Sequence, residues 1–265
     1  MKIGFIGCGN MATAIIDGVI KSGCIDCGDI YIYDINKDTV NSRIEKYKVN
    51  ACKNEAEAVK LCDAVVLAVK PNVLTSVLEK INIALTESDT LIISIAAGKT
   101  IEFIRNTLSH GNRIIRVMPN INATVGASMT AYTANSNATD DDKALCEKIF
   151  GSVGEIIQLD EKQFPVFGVI GGCAPAFAYM FIDSLARAAV KNGMSKDTAL
   201  KTAAQTVLGS AEMILKSKNH PWELVDKVCS PGGTTIEGVT SLQNDGFETA
   251  IHNAVDRAIA KDSKL

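Results

Sequence analysis

Along residues 1–160, short apolar runs alternate with stretches whose apolar positions recur at helical spacing. Residues 2–7 form an apolar run ending in glycine and 10–21 carry a helical pattern; 30–33 and 36–47 repeat the pair. The run 64–69 is apolar throughout except for its charged flank, and 71–85 is helical with Pro71 in its first turn. Runs at 91–96, 114–118 and 129–134 extend the strand series. A strand that is apolar on both sides must be covered on both faces, and intervening helices bring successive strands back in parallel. The pattern predicts an α/β fold that begins with a Rossmann-like, doubly wound, mostly parallel sheet.

Past residue 163 the strand pattern stops, and 164–193, 197–218 and 244–262 read as helices. In the middle one Leu200, Ala203, Ala204, Val207, Leu208 and Ala211 share a face, with Lys201, Gln205 and Glu212 largely off it. Small residues let helices approach closely, and so apolar a helical half needs a partner surface. An all-helical C-terminal dimerisation domain is therefore expected over 161–265. It is divided from the sheet domain over 1–160 by a charged turn at 159–162.

Composition adds little to this picture. With 47% hydrophobic and 22% charged residues the chain is an ordinary globular one. A net charge of −3 gives no electrostatic footprint for nucleic acid or an anionic membrane. Of the eight cysteines, Cys24 and Cys27 make a CxxC without the second pair or histidine that a zinc site requires, so no metal is expected. The longest apolar stretch, 174–190, is interrupted by Asp183 and Arg187 and reads as too short and too charged to span a bilayer. The chain opens directly on a strand pattern, and a cytoplasmic protein is expected.

The first candidate site follows the first strand. Gly7-Cys8-Gly9-Asn10-Met11-Ala12 is a GxGxxA fingerprint, placed between a strand and a helix as dinucleotide binding requires. The first glycine permits the tight turn, the second a close pyrophosphate, and Ala12 close packing of helix on sheet. Asp34 ends the second strand, where an acid bonds the adenosine ribose and repels a 2′-phosphate. That favours NADH over NADPH, although Asp34 would also serve as a cap for the next helix, and Lys37 nearby would serve a phosphate. Val69-Lys70-Pro71, Ile95-Ala96-Ala97-Gly98 and Met118-Pro119-Asn120 end later strands and face the same crevice. Lys70 reads equally well as a solvated capping residue.

The second candidate site is Cys229-Ser230-Pro231-Gly232-Gly233-Thr234-Thr235, between two helical stretches. Pro231 fixes φ, the glycines allow close backbone approach, and Thr234 or Thr235 starts a helix whose unpaired N–H groups suit a carboxylate or phosphate. Taken alone, the segment also fits a capped inter-helix turn.

Together these motifs resemble the pyrroline-5-carboxylate reductase family over nearly the whole chain. The likeness runs from FIGCGNM through AVKP at 68–71, SIAAG at 94–98, MPN at 118–120 and the APAFAY helix at 174–179 to SPGGTT. The resemblance implies reduction of 1-pyrroline-5-carboxylate to L-proline by NADPH or NADH, in a dimer or higher homo-oligomer. It places Ile6, Gly7, Cys8, Gly9, Asn10, Met11, Ala68, Val69, Lys70, Pro71, Ala96 and Ala97 at the cofactor. Asn54 and Lys227 join them on the same resemblance, while Asp34 and Asn120 are cofactor candidates from their strand-end positions, and Asp34 is unlike the members that favour NADPH. Ser230, Gly232, Gly233, Thr234 and Thr235 hold the substrate. The family's Ser-Gly-Ser-Gly-Pro-Ala-Tyr run is replaced here by Gly171-Gly172-Cys173-Ala174-Pro175-Ala176-Phe177, with the loss of two hydroxyls and a phenol.

A cyclic imine needs hydride on carbon and a proton on nitrogen. His110, His220 and His252 all read as surface or packing residues, and a substrate that arrives protonated needs orientation above all. The N–H groups of Gly233 and Thr234, with the Ser230 hydroxyl, would fix the carboxylate. Thr235 would be the catalytic residue, positioning the ring nitrogen first and donating second. Two other readings stay open: a β-hydroxyacid dehydrogenase, for which Lys191 is the available helix lysine, and a non-catalytic dinucleotide-binding relative.

Overall fold

A computed structural model gives the fold and describes residues 1–108 and 111–262. By contacts the chain divides into two compact units, the first Met1–Gly172 and the second beginning at Cys173.

In the first unit the order is β1 (Ile3–Ile6), α1 (Asn10–Lys21), β2 (Ile30–Tyr33), α2 (Lys37–Tyr47), β3 (Asn50–Ala51), α3 (Glu55–Leu61), β4 (Ala64–Leu67) and α4 (Leu74–Thr86). It continues with β5 (Leu91–Ser94), α5 (Ile101–Thr107), β6 (Ile114–Met118), β7 (Ser128–Ala134), α6 (Asp140–Gly151), β8 (Gly154–Gln158) and the short α7 (Phe164–Phe167). The sheet order is β3-β2-β1-β4-β5-β6-β7-β8; β7 runs antiparallel to β6, and β8 parallel to β7. The chain reverses its direction of travel across the sheet between β1 and β4, and ligands of such sheets lie beyond the carboxyl ends of the strands at that point. Residues alternate between two cores: Phe5, Val66 and Ile93 pack with Ile15, Ile16 and Phe150 on one face. Val65, Leu67 and Ile92 pack with Leu74, Leu78 and Ile81 on the other.

Local chemistry sets several helix starts. Asn36 caps α2 by accepting from Asp38 N and Thr39 N, and Thr139 forms a capping box with Asp142 at α6. The strands expected to run to 69 and 96 stop at Leu67 and Ser94, because the chain turns there into loops. Pro71 is correspondingly not in a helix; it sits in a turn closed by Val73 N to Lys70 O at 2.9 Å, and α4 begins at Leu74.

The division between units falls after the turn at 159–162, and the reason is visible in the contacts. Arg116, buried in β6, pairs with Glu161 at 2.9 Å and lies over the Phe164 ring at 4.4 Å. Glu161 Oε1 also accepts from Ile101 N at 2.9 Å, and Phe164 and Val169 are buried. This turn and the start of the following helix therefore belong to the first unit.

The second unit contains α8 (Ala174–Lys191), α9 (Lys196–Lys216), α10 (Pro221–Val228), α11 (Thr234–Asn244) and α12 (Phe247–Asp262). A π-helical turn, Gly168–Cys173, leads into α8 where a plain helix was expected. Its buried cluster consists of Ala186, Ala199 and Ala203, and α10, α11 and α12 bury no residue at all. Phe181 and Phe247 meet at 6.0 Å between ring centroids. The continuous segment Glu161–Lys191 is 31 residues long with mean hydropathy 1.7 over its most apolar window, of which 11% is buried. By length and composition alone this longer segment is apolar enough to cross a membrane, because the apolar turns before α8 extend the stretch 174–190; a core helix of a globular protein meets the same criterion.

Candidate active site

The fingerprint loop does what its residue types require. Gly7 has φ +96°, and a Cβ there would meet Ala68 O at 2.6 Å, so only glycine lets β1 turn beside the end of β4. A Cβ on Gly9 would meet nothing within 4 Å, which leaves open space over the start of α1. Gly9 is the N-cap of α1 and makes no side-chain cap bond, so the first N–H groups of the helix, beginning with Asn10 and Met11, are available to an anion. Ala12 is buried against the sheet. These features fit a dinucleotide pyrophosphate.

Asp34 is already engaged with the protein. Its Oδ2 accepts from Cys8 N at 2.7 Å and its Oδ1 from Asn36 N at 2.9 Å, so the carboxylate ties the fingerprint loop to the end of β2. Lone pairs remain on both oxygens for a ribose hydroxyl. Helix capping itself falls to Asn36. Burial, then the Asp34 charge, pushes the Cys8 thiol up to about 12, partly offset by Arg43. Cys8 is therefore an inert thiol that contributes its backbone N–H.

The remaining cofactor candidates of this unit follow their strands to the same edge of the sheet. Ile6 ends β1, with its carbonyl accepting from Ala68 N at 2.8 Å. Val69, Lys70 and Pro71 form the turn after β4, with Lys70 exposed. Ala96 is buried and Ala97 exposed in the loop after β5. Asn54 is the N-cap of α3, its Oδ1 accepting from Glu57 N at 2.8 Å. Asn120 differs from the expectation. It is 7% exposed, donates Nδ2 to Gly171 O at 2.8 Å and accepts from Asn122 N at 3.0 Å. A π-turn shifts the helical hydrogen-bond ladder by one residue, and Asn120 satisfies a carbonyl within that turn. Its amide thus braces the loop after β6, a role that no local pattern marks.

The Ser230–Thr235 segment lies in the second unit. Gly232 takes φ +66°, and Gly233 is the N-cap of α11 without any side-chain cap bond. A Cβ on Gly233 would meet Ser230 Oγ at 2.4 Å, so glycine is required for the serine to tuck under the turn. Gly233 N donates to Ser230 O at 3.0 Å, which corrects its expected role: its N–H closes the turn and is not offered to a ligand. The N–H groups of Thr234, Thr235 and Ile236 have no carbonyl one turn back to bond. Ser230, Thr234 and Thr235 are exposed, so the hydroxyls and N–H groups of this helix start face solvent together. Lys227, on α10, donates Nζ to Asn219 Oδ1 at 2.9 Å.

The other candidates have plainer positions. His220 caps α10, accepting from Trp222 N, and His252 is exposed on α12; His110 lies outside the described residues. Lys191 is the last residue of α8 and exposed.

Comparison with known proteins agrees across both units. Residues 161–265 match the family described as pyrroline-5-carboxylate reductase dimerisation, and residues 2–98 match NADP oxidoreductase, coenzyme F420-dependent. The pyrroline-5-carboxylate reductase of Escherichia coli is 43% identical over 265 residues, covering 100% of this chain and 98% of its own length. The structure of Plasmodium falciparum pyrroline carboxylate reductase with NADP bound superposes with a TM-score of 0.87 at 35% identity, covering 99% of this chain and 97% of that one. The Coxiella burnetii pyrroline-5-carboxylate reductase gives 0.94 at 33% identity, covering 99% and 97%. With a fingerprint open to a dinucleotide, a second helix start open to a small anion, and full-length likeness of this degree, the chain belongs to the pyrroline-5-carboxylate reductase family.

Proposed function

We propose that the chain reduces 1-pyrroline-5-carboxylate to L-proline with NADPH or NADH, acting as a homo-oligomer in the cytoplasm. The observation that carries this reading is the start of α11: an N-terminus without a side-chain cap, preceded by a serine that only a glycine at 233 accommodates. A small carboxylate fits that arrangement through the N–H groups of Thr234 and Thr235, the Ser230 hydroxyl and the positive end of the helix.

When bound, the reduced nicotinamide supplies the hydride that adds to the imine carbon, while a proton resides on the ring nitrogen of the product amine. The protein's part is orientation. Gly7 to Met11 hold the pyrophosphate, Lys70 and Ala97 flank the path to the strand ends, and the α11 start fixes the carboxylate. Thr235 places its hydroxyl at the ring nitrogen, where it holds the proton and directs the imine face. The exposed apolar faces of α8 and α9 are covered by a second copy of the chain, which also accounts for the low burial of Glu161–Lys191 without a membrane.

The test is direct. Purified protein mixed with 1-pyrroline-5-carboxylate should oxidise NADPH or NADH, followed at 340 nm, with stoichiometric proline formed. A folded oligomer that oxidises neither cofactor would overturn the assignment.

A further inference from the structure

Arg43 lies in the second turn of α2 and is half-buried. Its Nε donates to Thr13 Oγ1 at 2.9 Å, and that hydroxyl donates in turn to Gly9 O at 2.8 Å in the fingerprint loop. Among the described residues it takes part in no ion pair. With Nε engaged, the N–H donors of its two terminal nitrogens remain. Helical side chains lean toward the helix N-terminus, and α2 starts at the carboxyl end of β2, beside Asp34. The Asp34 carboxylate thus bonds the Gly7–Gly9 loop directly and the Arg43 guanidinium reaches it through one hydroxyl, and the charge of each acts on the Cys8 thiol.

An acid at the end of β2 on its own would repel a 2′-phosphate. Here its charge is dispersed into two backbone N–H groups, and a cation stands one hydroxyl away from the same loop. A guanidinium offers the planar fork that phosphate oxygens accept. We propose that Arg43 is the specificity-determining residue that admits the 2′-phosphate of NADPH, offsetting Asp34 so that the chain accepts both dinucleotides. This rests on the dinucleotide reading above and extends it to a residue outside the fingerprint.

The experiment measures equilibrium binding of NADPH and of NADH to the full-length wild type, Arg43→Met and Thr13→Val at low salt. Hydrogen bonds to a charged group of the usual strength predict that Arg43→Met weakens NADPH about ten- to a hundredfold. NADH should change by a much smaller factor. Thr13→Val removes the tie between α1 and α2 but leaves the charge, and should shift both dinucleotides alike. If Arg43→Met lowers both affinities equally or leaves their ratio unchanged, Arg43 is a helix-to-helix tie and the inference is overturned while the cofactor reading stands. A folded wild type that binds neither dinucleotide would instead remove the cofactor reading, and this inference with it.

Discussion

The two units treat their apolar side chains in opposite ways. In the first, Phe5, Ile15, Val66, Leu78 and Phe150 are buried in two clusters, one on each face of the sheet. In the second, Leu208 is 59% exposed, Met180 70% and Leu215 83%, and three alanines make the buried cluster. Burying a large aliphatic or aromatic side chain contributes about 1.5–3 kcal/mol, so the first unit carries its own stability. The second gains almost none of that stabilisation within one chain. Its helices are well formed locally, with Ser195 capping α9 and a His220–Glu223 box on α10, yet local caps do not replace a core. A region built this way is complete only when its apolar faces are covered.

The strongest way to test the contrast is to change one large apolar residue in each unit, buried in the first and exposed in the second. Phe150→Ala should destabilise the first unit by about 3–5 kcal/mol, read as a lower urea midpoint at unchanged oligomer mass. Leu208→Asp, on a side chain that stands mostly in solvent within one chain, should instead dissociate the oligomer and lower its helicity, as followed by sedimentation and circular dichroism. A surface site without a partner would tolerate the change within about 0.5 kcal/mol. If mass and melting both stay unchanged, the second unit stands alone and the comparison fails.

Smaller effects test the sites. Thr235→Ala should lower kcat about ten- to a hundredfold with little change in cofactor affinity, whereas Ser230→Ala should mainly raise KM for the carboxylate substrate. Near wild-type kinetics in both folded variants would reduce the segment to a turn. Asn120→Ala leaves the Gly171 carbonyl without its partner and should cost about 1–3 kcal/mol of first-unit stability. Asn120→Asp, which keeps the acceptor but loses the donor, should be no better. Should either variant instead leave stability intact and weaken cofactor binding alone, Asn120 would be a ligand-facing residue after all. The smallest effect concerns Thr139→Ala, which removes one capping box and should cost about 0.5–2 kcal/mol in the same melt.

Legibility followed element length and periodicity. Strands such as Ile30–Tyr33 and Ile114–Met118 and the helix Asn10–Lys21 match the residues expected, because their apolar pattern is dense and their ends carry clear signals. The two-residue β3 and the seven-residue α3 and α5 are too short to show a period. The π-turn Gly168–Cys173 was invisible for another reason: it keeps a helical composition and differs only in how its backbone bonds are paired. The Arg116–Glu161 pair joins residues far apart in sequence, which no local pattern reports.

By itself, then, the sequence determined what short-range physics controls: the alternation of strands and helices, the glycines that turn at 7 and 232, and the two anion-ready helix starts. Tertiary structure decided which polar groups are free and which are engaged. It showed that the Gly233 N–H closes its own turn, that Asn120 serves a backbone carbonyl, and that Asp34, expected at the adenosine ribose, also clamps the fingerprint loop. It also showed that the stripe on α9 finds little to pack against within one chain. Periodicity announces that a face is apolar, but a hydrogen bond or a buried contact depends on what arrives from elsewhere in the chain, and only the folded arrangement brings those groups within reach.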